Sequence, residues 1–172
     1  MKIFKILFIS ILFITVTACG DDDDAVPEDT SGDLIGTWQM TDLDYSGTSS
    51  SEFMGIPLNQ TFTGFAKDID YSITFTENPN EFEGNGGYTI ELTTTTGGQS
   101  ATIDETVSGE ANGTWELNGM NLTITANGQT EDLDISVLNE NTLTFTSEVT
   151  ETIDVNGITS TTNVTVTSSF TR

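Results

Sequence analysis

The side chains available for chemistry in this chain are almost all carboxylates. The sequence contains 27 Asp and Glu residues, no histidine and a single cysteine, Cys19. Without histidine, a serine or cysteine nucleophile activated by an imidazole is excluded. Paired carboxylates can hydrolyse glycosides, but the acidic residues are spread over predicted turns and outer strand faces, and no pair stands out. We therefore predict that the chain has no catalytic residue and is not an enzyme.

One segment has the spacing of a calcium loop. Residues 42–47 read Asp-x-Asp-x-Ser-Gly, which matches the opening of an EF-hand loop. The position that needs a bidentate glutamate is Phe53, and the flanking residues have a strand pattern. The acidic segments 81–85 and 131–134 are interpreted as solvated edges. Imidazole and thiolate ligands for transition metals are missing, so we predict no metal site and no cofactor.

Cys19 ends an apolar segment that has the form of an export signal. Lys2 and Lys5 precede the apolar run 6–14, and small residues lead to Cys19, an order typical of a signal peptide. The apolar stretch is about 13 residues, short of the roughly 20 that a spanning helix needs, which disfavours an uncleaved anchor. The Val-Thr-Ala-Cys sequence resembles the lipobox of bacterial lipoproteins. The resemblance implies cleavage before Cys19, a thioether-linked diacylglycerol on its sulfur, and acylation of the new N-terminus.

The residues after the signal are strongly acidic. All 27 acidic residues lie beyond residue 18, where Lys67 and Arg172 are the only cations. A field of this sign repels phosphate backbones, so we predict no nucleic-acid partner. It also repels anionic lipid surfaces, so the lipid anchor must supply the contact with the membrane.

Four aspartates, Asp21–Asp24, follow Cys19 and Gly20. This run resembles the surface-export signal of lipoproteins in Bacteroidota, which implies an outer membrane lipoprotein exposed at the cell surface. The alternative is a solvated tether kept extended by its like charges. Residues 19–33 carry few apolar side chains, so we predict that they are disordered. The chain thus divides into a signal peptide (1–18), an acidic tether (19–33) and one domain (34–172).

Residues 34–172 show the two-residue alternation of strands that have one apolar and one threonine-rich face. The alternating apolar sets are Trp38/Met40, Tyr71/Ile73/Phe75, Tyr88/Ile90/Leu92, Ile103/Val107, Trp115/Leu117, Leu122/Ile124, Leu133/Ile135/Val137, Leu143/Phe145 and Val164/Val166/Phe170. Asn-Gly pairs and other turn sequences separate them, which is a strong hairpin signal. The pattern predicts an all-β domain, an antiparallel up-and-down meander of about eight to ten strands. Closing the meander into a barrel removes both open edges; a two-sheet sandwich is the alternative.

The first of these strands carries a family resemblance. Leu34–Met40 contains Gly36-x-Trp38, which resembles the first strand of lipocalins and other calycins, and the downstream strands look like the lipocalin-like domains of Bacteroidota lipoproteins. The resemblance implies a barrel closed near Trp38, with a basic residue of the last strand packed over the indole. Arg172 is the candidate, because the even positions from 164 to 172 share the apolar face. Gly36, Trp38 and Arg172 are therefore the predicted barrel closure.

The resemblance also implies an apolar cavity at the opposite end. We expect residues 44–60 to form an irregular connection over that mouth, where Phe53, Met54 and Ile56 line an entrance or simply cap the core. Inward positions that line a candidate pocket or fill the core are Met40, Tyr71, Ile73, Phe75, Tyr88, Ile90, Trp115, Leu122, Ile124, Ile135, Phe145 and Phe170. Eight-stranded barrels have both kinds of interior, filled by side chains or holding one small ligand.

Two functional hypotheses follow. In the first, the chain is a lipid-anchored, surface-exposed lipocalin-like lipoprotein that binds a small apolar or amphipathic ligand. In the second, it is a structural or interaction module with a filled barrel, accessory to a surface complex and without a small-molecule ligand. The sequence identifies no protein partner.

Overall fold

A computed structural model describes residues 32–53, 56–155 and 158–172 of the chain. Cys19, the acidic run after it and Met54 lie outside these residues. Phe53 is described only by its backbone pairing. The predictions made for the signal peptide and for most of the tether therefore remain predictions.

The described residues form an all-β domain. Its nine strands are β1 (Gly36–Phe53), β2 (Ile56–Thr76), β3 (Glu81–Thr96), β4 (Gln99–Ser108), β5 (Ala111–Asn118), β6 (Asn121–Ala126), β7 (Gln129–Leu138), β8 (Thr142–Val155) and β9 (Ile158–Thr171). All strand pairings are antiparallel. The predicted antiparallel meander is confirmed.

Hydrogen bonding closes the meander into a ring of eight strands. The order is β2-β1-β9-β8-β7-β6-β5-β3-β4, and an additional β2–β3 pairing completes the ring. Strands β4 and β5 run in the same direction along one edge of β3, one after the other, so they act as a single interrupted strand. The Gly109 N–H bridges the interruption by donating to the Gly86 carbonyl at 3.1 Å. This ring is consistent with the predicted lipocalin-like barrel, although it is uneven along its axis.

The unevenness divides the ring into two parts. In the closed half, around Trp38, all eight strands pair, but β7 pairs with β8 only from Asp134–Thr146 to Leu138–Leu143. Beyond that level β8 pairs with β9 alone, and β4 with β3 alone, among the described strands. The open half is thus a six-stranded sheet in the order β4-β3-β2-β1-β9-β8, with β4 and the end of β8 as its borders.

The buried core belongs mainly to the closed half. Its largest fully buried side chains are Trp38, Phe75, Phe170, Leu122 and Leu143. Threonine hydroxyls pair across strands on the opposite face, as in Thr93 with Thr102 at 2.8 Å and Thr146 with Thr167 at 3.2 Å. The alternation of apolar and threonine side chains therefore places the apolar set on the interior face, as predicted.

The expected irregular connection over residues 44–60 is wrong. Residues 44–53 continue β1 and residues 56–60 begin β2, and the two pair residue by residue up to Phe53–Ile56. Strand β1 also pairs with β9 as far as Ser51–Ser160. Because neighbours on both sides satisfy its backbone groups, this Ser- and Gly-rich segment forms a strand despite its weak intrinsic preference. The same pairing makes residues 42–47 part of a strand rather than a calcium loop.

Three bulges shift the alternation. On β1, a shift between Met40 and Asp42 brings Leu43 into the core together with Met40. On β7, a shift between Ile135 and Val137 leaves Val137 half-buried and buries Leu138 instead. A third shift lies on β2 between Lys67 and Asp70. A β-bulge adds one residue to one strand and so exchanges its faces, which is why the inward assignment of Val137 from simple alternation fails.

Candidate functional site

Trp38 and Arg172 lie together at the closed end. Trp38 is fully buried, and its Nε1–H donates to the Leu34 carbonyl at 2.8 Å. The guanidinium carbon of Arg172 lies 4.2 Å from the centroid of the Trp38 ring. Arg172 also donates from Nε to the Glu140 carbonyl at 2.7 Å and from Nη1 to the Ile35 carbonyl at 2.9 Å. The arginine thus ties the last strand to the start of β1 and to the β7–β8 turn.

Gly36 makes this arrangement feasible. Its φ is +127°, in a region that favours glycine. A Cβ at this position would lie 3.3 Å from Nη1 of Arg172, so a side chain here would press on the guanidinium. The three residues of the predicted closure are therefore neighbours, and their contacts are structural rather than catalytic.

Several residues named as candidate pocket lining lie in the packed interior of the closed half. Met40, Ile73, Phe75 and Phe170 are buried. Trp115 is half-buried; its ring meets that of Phe75 edge-on with centroids 6.1 Å apart. These side chains fill the closed half. In the part of the chain that the structure describes, the interior surface is therefore accessible to solvent only in the open half. Leu122 and Ile135 are also buried, and Ile124 packs against the core.

Other candidate residues lie farther from the closed end. Tyr71 and Tyr88 are half-buried and meet edge-on, with centroids 6.0 Å apart. Burial, and to a smaller extent Tyr71, raises the pKa of Tyr88 to about 12. Ile90 and Phe145 are half-buried as well. Phe145 stacks on Phe170 within the closed half, with ring centroids 5.3 Å apart, whereas Tyr71, Tyr88 and Ile90 mark the transition between the packed core and the open half.

The interior face of the open half consists of cross-strand rows, each running from β8 to β4. We call them the tyrosine row, the phenylalanine row and the polar row, in order of distance from the closed end. The tyrosine row is Ser147, Val166, Tyr45, Gly64, Leu92 and Ile103; the phenylalanine row is Val149, Val164, Gly47, Phe62, Thr94 and Ala101; the polar row is Glu151, Thr162, Ser49, Gln60, Thr96 and Gln99.

Large apolar side chains are exposed on this face. Ile103 of the tyrosine row is 49% exposed at the border strand β4. Beyond the polar row, Leu58 is 49%, Ile153 45% and Ile56 62% exposed. Ile56 was predicted at the mouth of the barrel, and the structure places it at the start of β2, at the end of the open half farthest from Trp38. The open half therefore presents a sheet face on which apolar side chains contact solvent.

Carboxylates project from the strands that border the same face. Glu131 of β7 is half-buried and hydrogen-bonded to Ser147 in the tyrosine row. Burial raises the pKa of Glu131, and the hydrogen bond from Ser147 opposes that shift. Burial also raises the pKa of Tyr45, and the negative charge of Glu105 on β4 raises it further. The interpretation of residues 131–134 as a solvated edge is therefore wrong for Glu131.

The cations of the described residues lie elsewhere. Lys67 is on the outer face, where its ammonium contacts Glu91 and Asp104 at 2.9 Å each. Arg172 is at the closed end. Among the residues that the structure describes, no group of three or more His, Cys, Asp or Glu side chains is arranged to hold a metal ion. In the same part of the chain, no helix has the length and apolarity needed to cross a membrane.

Two depressions lie on the outer face of the sheet. The larger, of about 530 Å³, is lined by Thr74, Thr76, Glu81, Phe82, Glu83, Asn112, Gly113 and Thr114. The other, of about 270 Å³, lies over β1, β9 and β8 around Ser46, Thr165 and Glu148. Both are bordered mainly by polar side chains of the threonine-rich face, so neither belongs to the apolar interior surface.

Comparison with known protein families decides the classification. A family model described as a lipocalin-like domain matches residues 34–145. The chain belongs to the lipocalin-like domain family. No curated protein and no solved structure shows a significant match to it. The matched residues of the lipocalin-like domain run from just before β1 into β8, so they include Gly36 and Trp38.

The resemblance predicted from the first strand is thereby confirmed. Lipocalin-like domains are typically binding proteins without catalytic activity, and a role in binding small hydrophobic molecules is the function that the family suggests. In this lipocalin-like domain, sequence reasoning missed Tyr45, Phe62, Glu105 and Glu131 on the open half. Glu131 is two residues before Leu133, so the two-residue alternation places it on the same interior face as Leu133 and Ile135. This spacing is the sequence signal that could have identified Glu131.

Proposed function

We propose that this lipocalin-like domain binds a small apolar or amphipathic molecule on the interior face of its open half. The observation that carries the proposal is the exposure of Ile56, Leu58, Ile103 and Ile153, between 45% and 62%, on one continuous sheet face. Ile103 lies in the tyrosine row, and Leu58, Ile56 and Ile153 lie beyond the polar row. Large apolar side chains exposed on one face are a feature of surfaces that bind ligands or partners. Covering them removes apolar area from water, which favours binding by about 25 cal/mol per Å².

A domain of residues 20–172 is suited to the test. Every described strand and every residue of the buried core lies between Leu34 and Arg172, so this segment retains all the contacts that hold the ring together. N-phenyl-1-naphthylamine is a suitable first probe because it is uncharged and becomes fluorescent in apolar surroundings. We expect saturable binding, and its competitive displacement by octyl glucoside below the micelle concentration.

Two matched substitutions locate the site. Ile103 lies on the interior face and Phe65 on the outer face, and they are 49% and 47% exposed. Ile103→Asp places a charge against the bound apolar probe, so we expect the affinity to fall about tenfold or more, since burying an unpaired carboxylate is costly. Phe65→Asp should leave the affinity unchanged. Equal effects of the two substitutions, or no saturable binding by the parent protein, would refute the proposal.

The second candidate function is an interaction module without a small-molecule ligand. It is favoured by one observation, the filled interior of the closed half around Trp38, Phe75 and Phe170. Native mass spectrometry of gently purified protein separates the two functions. Co-purifying small molecules support ligand binding, whereas a clean mass of the protein alone, combined with the absence of probe binding, supports the interaction module.

We also propose that the domain is held at the outer membrane, facing outward, by acyl chains on Cys19. The support is the lipobox-like sequence before Cys19 and the acidic run Asp21–Asp24. Cys19→Ser should leave unprocessed precursor that incorporates no labelled palmitate, and acylation of this variant would contradict the anchor. Replacing the four aspartates with asparagine should leave acylation intact and reduce the digestion of the protein by protease added to intact cells.

A further inference from the structure

An aromatic pair stands at the centre of the open half. The rings of Tyr45 and Phe62 lie on adjacent strands with centroids 5.5 Å apart and planes at 31°. Phe62 pairs with Gly47 across the sheet, and a Cβ on that glycine would collide with the phenylalanine ring. The ring therefore lies over the Gly47 backbone, beside Tyr45. Both aromatic side chains are half-buried, so parts of their surfaces face the interior of the open half.

Two carboxylates lie toward the two ends of the tyrosine row, one on β4 and one on β7 beside β8. Glu105, on β4, is close enough for its charge to affect the ionisation of Tyr45. Glu131, on β7, is hydrogen-bonded to Ser147, which pairs with Val166, the neighbour of Tyr45. Adjacent strands are about 4.8 Å apart, so Ser147 and Tyr45 are separated by about 10 Å. The space over the tyrosine row therefore has an aromatic floor and a carboxylate on each side.

No protein cation balances these carboxylates within the described residues. Lys67 is engaged on the outer face and Arg172 at the closed end. A half-buried carboxylate without a cationic partner is costly in its charged form, as the raised pKa of Glu131 shows. An anionic ligand would add to this repulsion, whereas a cation would relieve it.

We infer that the ligand class of the open half is the alkylammonium amphiphile, with its cationic group over Tyr45 and Phe62 between Glu105 and Glu131. This inference rests on the proposed binding function and deepens it. Aromatic faces attract quaternary ammonium groups, and the two carboxylates supply the opposite charge. The apolar tail extends from Tyr45 along the tyrosine row toward Leu92 and the exposed Ile103. The acidic surface of the whole domain also attracts cations toward this face.

Three ligands with the same tail and different head groups test the inference. Octyltrimethylammonium, octyl glucoside and octyl sulfate, all below their micelle concentrations, are each titrated against the naphthylamine probe bound to residues 20–172 in 150 mM salt. The displacement of the probe gives the affinity of each compound. We expect the cation to bind about tenfold more tightly than the glucoside, and the sulfate to bind more weakly than the glucoside.

Two double variants separate a specific site from attraction by the net charge. Glu105→Gln with Glu131→Gln removes the interior carboxylates. Glu116→Gln with Glu148→Gln removes the same charge from outer-face positions that are exposed. Only the interior double variant should lose the preference for the ammonium head group, with octyl glucoside affinity retained. Circular dichroism spectra and melting temperatures check that both variants fold.

The outcomes distinguish this inference from the proposed function. If octyl glucoside binds and the ammonium compound shows no preference, or if both double variants reduce the preference equally, the inference is overturned and apolar binding stands. If none of the three ligands displaces the probe, or the probe does not bind, the proposed function falls as well. Tyr45→Leu adds an independent check, because it retains an apolar side chain and should reduce the affinity for the ammonium compound more than the affinity for octyl glucoside.

Discussion

Replacing Trp38 with alanine should remove the central contact of the closed end. The indole is fully buried, donates a 2.8 Å hydrogen bond to the Leu34 carbonyl and lies 4.2 Å below the Arg172 guanidinium. Truncating a buried tryptophan costs about 3–5 kcal/mol in a folded domain. The lost hydrogen bond, worth about 1 kcal/mol, and the lost cation–π contact, worth about 0.5–2 kcal/mol, place Trp38→Ala in the upper part of that range.

Urea denaturation of residues 20–172, followed by far-ultraviolet circular dichroism, measures this loss. Tryptophan fluorescence is unsuitable because the substitution removes one of the two indoles. At about 3 °C per kcal/mol for a domain of this size, the melting temperature should fall by about 10–15 °C. An unchanged slope of free energy against urea would show that the unfolded states are comparable.

Trp115→Ala is the matched control. Trp115 is only half-buried, although it also donates a hydrogen bond, 2.9 Å long, to the Thr76 carbonyl. It has no arginine above it in the structure described, so its truncation should cost less than that of Trp38. A loss below about 1 kcal/mol for Trp38→Ala, or equal losses for the two variants, would show that burial at the closed end does not determine stability.

Three further predictions concern charged and titrating groups. Arg172→Lys keeps the charge but not the planar fork that spans two carbonyls and the indole, so thermal melts should show a loss of about 1 kcal/mol; an unchanged melting temperature would contradict the closure. Because burial raises the pKa of Glu131 in the folded state, the contribution of Glu131 to stability falls as its carboxyl group loses its proton with rising pH. Glu131→Gln should therefore be more stable than the parent at pH 7, and the difference should shrink toward pH 4. A difference in urea midpoints that does not depend on pH would refute this. Tyr88, with a pKa raised to about 12, should form tyrosinate at higher pH in the folded protein than in urea. Its absorbance is obtained as the difference between the parent protein and Tyr88→Phe, and titrations that coincide in the folded and unfolded states would contradict its burial.

The closed half was predictable because its sequence is unambiguous. Strands such as Tyr71–Phe75 place large apolar residues at every second position and threonine or serine between them. A shift by one residue would bury hydroxyls and expose aromatic rings, so a single register is strongly favoured. The Gly36-x-Trp38 pattern adds a conformational requirement that few residues besides glycine meet. Local pattern and long-range packing therefore indicate the same structure in this half.

The open half was harder to predict because its sequence gives no clear alternation. Ser46–Ser51 offers small polar residues on both faces, and only the long-range partners β2 and β9 make this segment a strand. On β2, Phe62 and Phe65 compete for the interior face, since they are an odd number of residues apart. The bulges at residues 40–42 and 67–70, which appear only in the paired sheet, settle which face is interior.

The same division limits how a ligand can be held. Pockets that bind small molecules tightly usually cover most of the ligand surface, whereas the open half offers a sheet face that β4 and the end of β8 border among the described strands. The packed side chains of Phe75 and Phe170 prevent a ligand from reaching deeper without rearrangement of the core. Apolar contact on one side alone then contributes only part of the binding free energy. For a ligand on this face, the attraction between its charge and the two carboxylates, Glu105 and Glu131, becomes the larger source of selectivity. Because Glu105 is exposed and Glu131 only half-buried, that selectivity should decrease as the salt concentration rises.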